Sequence, residues 1–148
     1  MKKNIKGFTL IELLVVIGII AILAAIVIIA INPGYQFAQA RNAQRWSNVN
    51  TIINAVHQYM VSTKGQLPKP ESLGATPIEI CKTVHTDCSG LIDLSPELTT
   101  KFIVEIPIDP ACASSGNSTC YTIASSTDDR IIITAPKAEL GETIRITR

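Results

Sequence analysis

From Phe8 to Ile31 the chain runs for 24 residues, FTLIELLVVIGIIAILAAIVIIAI, with a single charge, Glu12. A helix of that length rises about 36 Å, enough to cross a hydrocarbon layer of roughly 30 Å. Leu, Ile, Val and Ala fill it all round, so it lacks the polar stripe that a surface helix of a water-soluble domain needs. On hydropathy the run reads as an N-terminal membrane anchor.

Two details go beyond anchoring. A carboxylate inside a bilayer is costly, and any apolar residue would anchor better than Glu12. No Lys or Arg lies within the run, so a counter-charge must come from another chain or from a newly made α-amino group. The second detail is the junction Lys6-Gly7-Phe8, where a basic leader (Lys2, Lys3, Lys6) ends in Gly and the apolar run begins at once. A secretory signal is cut after its apolar segment, at small residues two positions apart. Gly18, Ala21, Ala24, Ala25 and Ala30 include no such pair. A cut between Gly7 and Phe8 would instead keep the anchor and create an amine at Phe8, four residues from Glu12.

The leader followed by GFTLIELLVVIGIIAIL resembles the N-terminus of type IV prepilins and of the pseudopilins of type II secretion and competence systems. The likeness is close from Lys2 to Ile31 and weaker to about Pro68. It implies that a membrane prepilin peptidase cuts between Gly7 and Phe8 and methylates the Phe8 amine. It also implies that Glu12 pairs with the Phe8 amine of a neighbouring subunit during filament assembly. The layout expected from this is a cleaved leader (1–7), a transmembrane and filament-core helix (8–31), an amphipathic helix (32–63) and a globular head (64–148).

Charge narrows the remaining classes. Of 13 Lys+Arg three lie in the leader, leaving 10 against 12 Asp+Glu, a net of about −2. Such a balance is not that of a basic nucleic-acid binder. The leader lysines favour a cytoplasmic N-terminus with the C-terminal part outside; Arg41 and Arg45 weaken that bias without reversing it. All four cysteines, Cys81, Cys88, Cys112 and Cys120, fall in the outward part. An even number there reads as two disulfides with three possible connectivities, of which the local one, Cys81–Cys88 and Cys112–Cys120, is favoured. The rival is zinc, but C-x6-C and C-x7-C match no common zinc knuckle, and no His follows the second pair closely.

Along the chain, Asn32-Pro33-Gly34 should kink or break the helix near the outer membrane–water boundary. A full stop there would have Asn32 capping a second helix that opens on Pro33. Beyond Tyr35 the pattern turns amphipathic: Trp46, Val49, Ile53, Val56 and Met60 form a stripe widened by Ile52, and Arg41, Gln44, Arg45, Asn48 and Gln58 supply polar faces. Lys64-Gly65 and Pro68 end this helix. Pro68 to Thr86 reads mostly as loop with a short strand at Ile78–Cys81. Ser95-Pro96-Glu97 starts a short helix, with Ser95 as cap, to about Ile103. Three strands follow, Tyr121–Ser125, Arg130–Ala135 and Thr143–Thr147, as an antiparallel meander. Its apolar face needs a cover, which the amphipathic stripe provides. The expected fold is therefore α+β and pilin-like, a long N-terminal helix kinked near Asn32–Gly34 and packed on a small C-terminal antiparallel sheet. The Ile106-Pro107-Ile108-Asp109-Pro110 stretch followed by Tyr121 resembles the loop before the last strands of many pilins and major pseudopilins.

No nucleophile elbow, phosphate loop, zinc-protease helix or dinucleotide fingerprint is present. His57 on the long helix reads as a solvated or interface imidazole, and His85, next to Asp87 inside the expected Cys81–Cys88 loop, as part of a surface turn. The resemblance to major pseudopilins raises calcium, for which Asp109, Asp128 and Asp129 lie in the relevant region. However, Ca²⁺ takes six to eight oxygens and Ala111 to Thr119 holds no carboxylate, so no cofactor is expected, with Ca²⁺ as the one alternative.

The resemblance implies a structural protein, not an enzyme: a subunit of a type IV pilus-like filament, homo-oligomeric through its N-terminal helix. Its partners would be the peptidase, an assembly ATPase, inner-membrane platform proteins, minor pilins and, before assembly, membrane lipid. It would sit as a single-pass protein of the cytoplasmic membrane with its head outside, then in a cell-surface or periplasmic filament. The alternatives are a pseudopilin of a secretion or DNA-uptake machine and a monomeric membrane-tethered binding domain. The last predicts no processing at Gly7 and no penalty for losing Glu12.

Overall fold

The structure is a computed structural model and describes residues 7–83, 87–113, 115–128 and 130–148. It divides into two compact units, Met1–Phe37 and Ala38–Arg148.

In the first unit, helix α1 spans Leu10–Ile31 and none of its residues is buried. By length and composition it can cross a membrane. α1 ends at Asn32, whose backbone is left-handed (φ 47°, ψ 78°), and helix α2 (Pro33–Ser62) begins at the next residue. The Asn32 carbonyl accepts from the Tyr35 and Gln36 amides, and its side-chain oxygen also faces the Tyr35 amide at 3.4 Å. Asn tolerates this conformation, and Pro33 at the first helical position loses nothing by lacking an N–H. The interruption is thus a full stop and restart on adjoining residues.

In the second unit, α2 from Ala38 onward packs on a four-stranded sheet. α2 closes with Lys64 and Gly65 both at positive φ, and the Gly65 amide reaches back to the Met60 carbonyl at 2.7 Å. This places a lysine, not only the expected glycine, in the left-handed position of a Schellman-type stop. The strands are β1 (Ile78–Cys81), β2 (Ser118–Ser125), β3 (Ile131–Ala135) and β4 (Ile144–Thr147), antiparallel in the order β1-β2-β3-β4. β1 joins the meander as its outer strand and draws β2 back to Ser118, three residues earlier than its apolar alternation begins. Between Glu79 and Cys81 the register slips, and opposite the slip Cys120 takes φ 61°.

Between β1 and β2 lies a single helical turn, α3 (Ser95–Leu98). The sequence suggests a helix to about Ile103, but Thr99 is extended and Thr100 stands at φ 69°, ending it after one turn. Ser95 is its first residue, its amide held by the Asp93 carboxylate, and does not act as the cap. The core joins Val49, Ile52, Ile53 and Val56 of α2 to Ile80, Leu94, Leu98, Tyr121, Ile123, Ile133 and Ile144.

The stripe on α2 differs from the expected one. Val49, Ile52, Ile53 and Val56 are buried as expected, but Trp46 is 39% exposed, and one buried line runs Ala38, Asn42, Arg45, Val49, Ile52 and Val56. These are four and three apart in turn, the spacing of one helix face. Its lower half is polar, and Arg45, read from sequence as part of a polar face, is fully buried.

Candidate functional site

The residues singled out at the N-terminus come together at the start of α1. Thr9 is the N-cap: its hydroxyl accepts from the Glu12 amide at 3.3 Å, and the Glu12 carboxylate accepts from the Thr9 amide at 2.8 Å. The Thr9 hydroxyl also donates to that carboxylate at 2.7 Å. This is a reciprocal capping box, which satisfies two amides that a helix start leaves open. A carboxylate at this end also suits the positive pole of the helix. Sequence reasoning assigned Glu12 only an intermolecular partner; Thr9 was missed, although T-x-x-E before an apolar run is a readable signal.

Phe8 is 86% exposed and, with Ile11, Glu12, Val15 and Val16, outlines an open apolar depression. Among the described residues, a Cβ added at Gly7 would meet nothing within 4 Å. The leader lysines Lys2, Lys3 and Lys6 lie outside the described residues.

In the head, Cys81 is bonded to Cys88 and Cys112 to Cys120. The two loops are tied to each other: the Lys82 amide donates to the Asn117 carbonyl, and the Lys82 ammonium to the carbonyls of Ala113 and Gly116 at 3.1 and 2.6 Å. The Asn117 side chain reaches the Asp87 carbonyl at 2.7 Å.

A polar cluster on α2 was not foreseen. Arg45 donates to Asp109 through Nε (2.7 Å) and Nη2 (3.2 Å), and through Nη1 to Asn42 and Glu139. Arg41 grips the same Glu139 with Nε and Nη2 at 2.7 and 2.6 Å. Asn42 exchanges two hydrogen bonds with the Glu139 backbone, and Asn48 donates to the Tyr121 hydroxyl. Hydrogen bonds from Arg41, then Arg45, pull the Glu139 carboxyl down to about 2. Burial pushes the Tyr121 hydroxyl up. The cluster fixes α2 to the loop before β2 and to the turn between β3 and β4.

Of the residues considered for calcium, Asp109 is committed to Arg45 and to the Ala111 amide, Asp128 lies exposed in a turn, and Asp129 is outside the described residues. Among the described residues no three His, Cys, Asp or Glu side chains gather as a metal site. His57 is half-buried beside an open groove with Gln58, Val61 and Phe102, and its Nε2 finds no hydrogen-bond partner among the described residues; His85 lies outside them.

Residues 2–31 match the family model described as the prokaryotic N-terminal methylation motif. The match takes in the Gly7–Phe8 junction, the capping box and all of α1, and fits the N-terminal signal of type IV pilins and pseudopilins. No solved structure matches the chain.

Proposed function

We propose that this chain is a structural subunit of a type IV pilus-like filament, processed after Gly7, methylated on Phe8 and polymerised through α1. The observation that carries the proposal is a 22-residue apolar helix, none of it buried by its own chain, that opens on a methylation motif. Burying a large aliphatic side chain contributes about 1.5–3 kcal/mol, so such a helix requires lipid first and other copies afterwards. In this reading the head is held outside the cytoplasmic membrane until assembly, and catalysis belongs to the peptidase and the assembly ATPase. The same features serve a pseudopilin of a secretion or DNA-uptake machine, which a short periplasmic filament in place of a long surface one would reveal.

The test is intact mass and N-terminal sequence of the protein taken from its native membrane. A mature chain starting at Phe8, heavier by one methyl, is the expected result, and Gly7→Leu should trap the uncut form. A chain intact from Met1 in cells that possess the peptidase would overturn the proposal.

A further inference from the structure

The start of α2 carries two exposed aromatic side chains, Tyr35 at 49% and Phe37 at 64% exposure. They follow the end of α1 directly, and both belong to the N-terminal unit. Between Glu12 and Arg41 there is no charged residue at all. The polar groups that first appear after Ile31 are amides: Asn32, Gln36 and Gln39. This sequence of surfaces, aliphatic, then amide and aromatic, then charged, follows the composition of a bilayer from core to water.

Geometry sharpens the comparison. From Pro33 to Phe37 a helix rises about 6 Å, against an interfacial layer of roughly 5–7.5 Å on each side of the hydrocarbon. Tyr35 and Phe37 differ by about 3 Å in height but by about 200° around the axis. A helix lying flat on a membrane gathers its apolar residues on one side. Two aromatics on opposite sides, within about 3 Å of each other in height, instead form a belt round a helix that passes through the layer. Ala38, the next residue, is buried, so the head begins to cover α2 where the belt ends.

We propose that Tyr35 and Phe37 are interfacial anchors that hold the unassembled subunit at a fixed depth, their partner being the lipid headgroup layer on the outer side. The proposal rests on the reading of α1 as membrane-spanning. It makes the Asn32–Pro33 break the outer limit of the hydrocarbon core, with the aromatic rings in the headgroup region just beyond.

The test uses the full-length chain in phosphatidylethanolamine–phosphatidylglycerol vesicles. Trp46 is the sole tryptophan, so Trp46→Phe gives a dark background into which Tyr35→Trp, Phe37→Trp or Ile20→Trp is introduced. Lipids brominated near the headgroup should quench the probes at 35 and 37 more strongly than lipids brominated near the chain end, with blue-shifted emission at both sites. For the probe at 20, in the middle of α1, the order should reverse. If the probe at 20 behaves so while those at 35 and 37 ignore bromine, the anchors are overturned and α1 still spans. Access to aqueous acrylamide would then indicate open water, and protection from it a second copy of the chain. Quenching at only one of the two sites overturns the belt. If no bromine reaches the probe at 20, the membrane-spanning reading fails and the anchors with it.

Discussion

Arg45 is the residue whose environment least resembles what its type suggests. Its side chain and that of Asp109 are both inaccessible to water, 2.7 Å apart. A buried ion pair gains little over a well-packed apolar pair, but losing one partner strands the other and costs about 3–5 kcal/mol. Arg45→Ala should therefore lower the unfolding free energy of the head, read from urea titration, by that order, Asp109→Asn by less because Arg45 keeps Glu139, and the double change by less than the sum; additive losses would show that the pair is not coupled. Glu139 adds a pH dependence. Its folded pKa of about 2 lies below the ordinary 4.5, so its contribution is present above about 4.5 and is lost as pH falls toward 2. Glu139→Gln should reduce stability at neutral pH and flatten the urea midpoint across that acid window; an unchanged slope would exclude the carboxylate as its source. None of this cluster was legible in the sequence. The helical spacing does continue through Ala38, Asn42 and Arg45, but a reading of apolar periodicity discards polar residues. The partners, moreover, lie 64 and 94 positions away.

The elements divide by how much of their specification is local. α1, α2, β3 and β4 were readable because apolar period, turn residues and caps agree within each segment. β1 was readable as a short strand but not as the sheet's outer member, since its pairing with β2 crosses the long connection that holds α3. The first residues of β2, Ser118-Thr119-Cys120, carry no apolar alternation and are strand only because β1 lies beside them. Here the two disulfides act on long-range order. Each closes a loop of seven or eight residues, which the chain-entropy estimate values at about 2.5 kcal/mol. The Cys112–Cys120 loop also positions Asp109, whose amide donates to the Thr119 carbonyl and whose carbonyl accepts from the Cys112 amide. Replacing Cys112 and Cys120 together by Ser should therefore destabilise more than replacing Cys81 and Cys88, through loosening of the Arg45 pair. Equal losses in denaturant titrations would show that the loops act independently of that pair.

Taken whole, the molecule joins a head that satisfies itself to a helix that cannot. All core residues of the head lie beyond Ala38, and the pair Arg41–Glu139 closes within the same unit. A fragment Ala38–Arg148 should accordingly fold in water with both disulfides, and a molten circular dichroism signature would count against that independence. The N-terminal helix is the opposite case, with an apolar surface exposed along its full length and one carboxylate near its start. Thr9 meets the hydrogen-bonding needs of Glu12 but not its charge. In a bundle of such helices the Phe8 amine of one copy and Glu12 of another would each be desolvated, and pairing them offsets both costs. An axial rise of about 6 Å between residues 8 and 12 would set the stagger needed to bring amine and carboxylate together. Glu12→Ala should leave membrane insertion intact or slightly improved, because the costly group is gone. Cleavage after Gly7 should continue, since the change lies beyond the junction, while filament yield falls steeply. Glu12→Gln should fall equally, because it keeps hydrogen bonds to Thr9 and removes only the charge. The measurement is membrane content, processing and sheared filament for each variant beside the unaltered chain. Full filament yield from Glu12→Ala would remove the carboxylate from the assembly contact and favour a tethered domain that never polymerises.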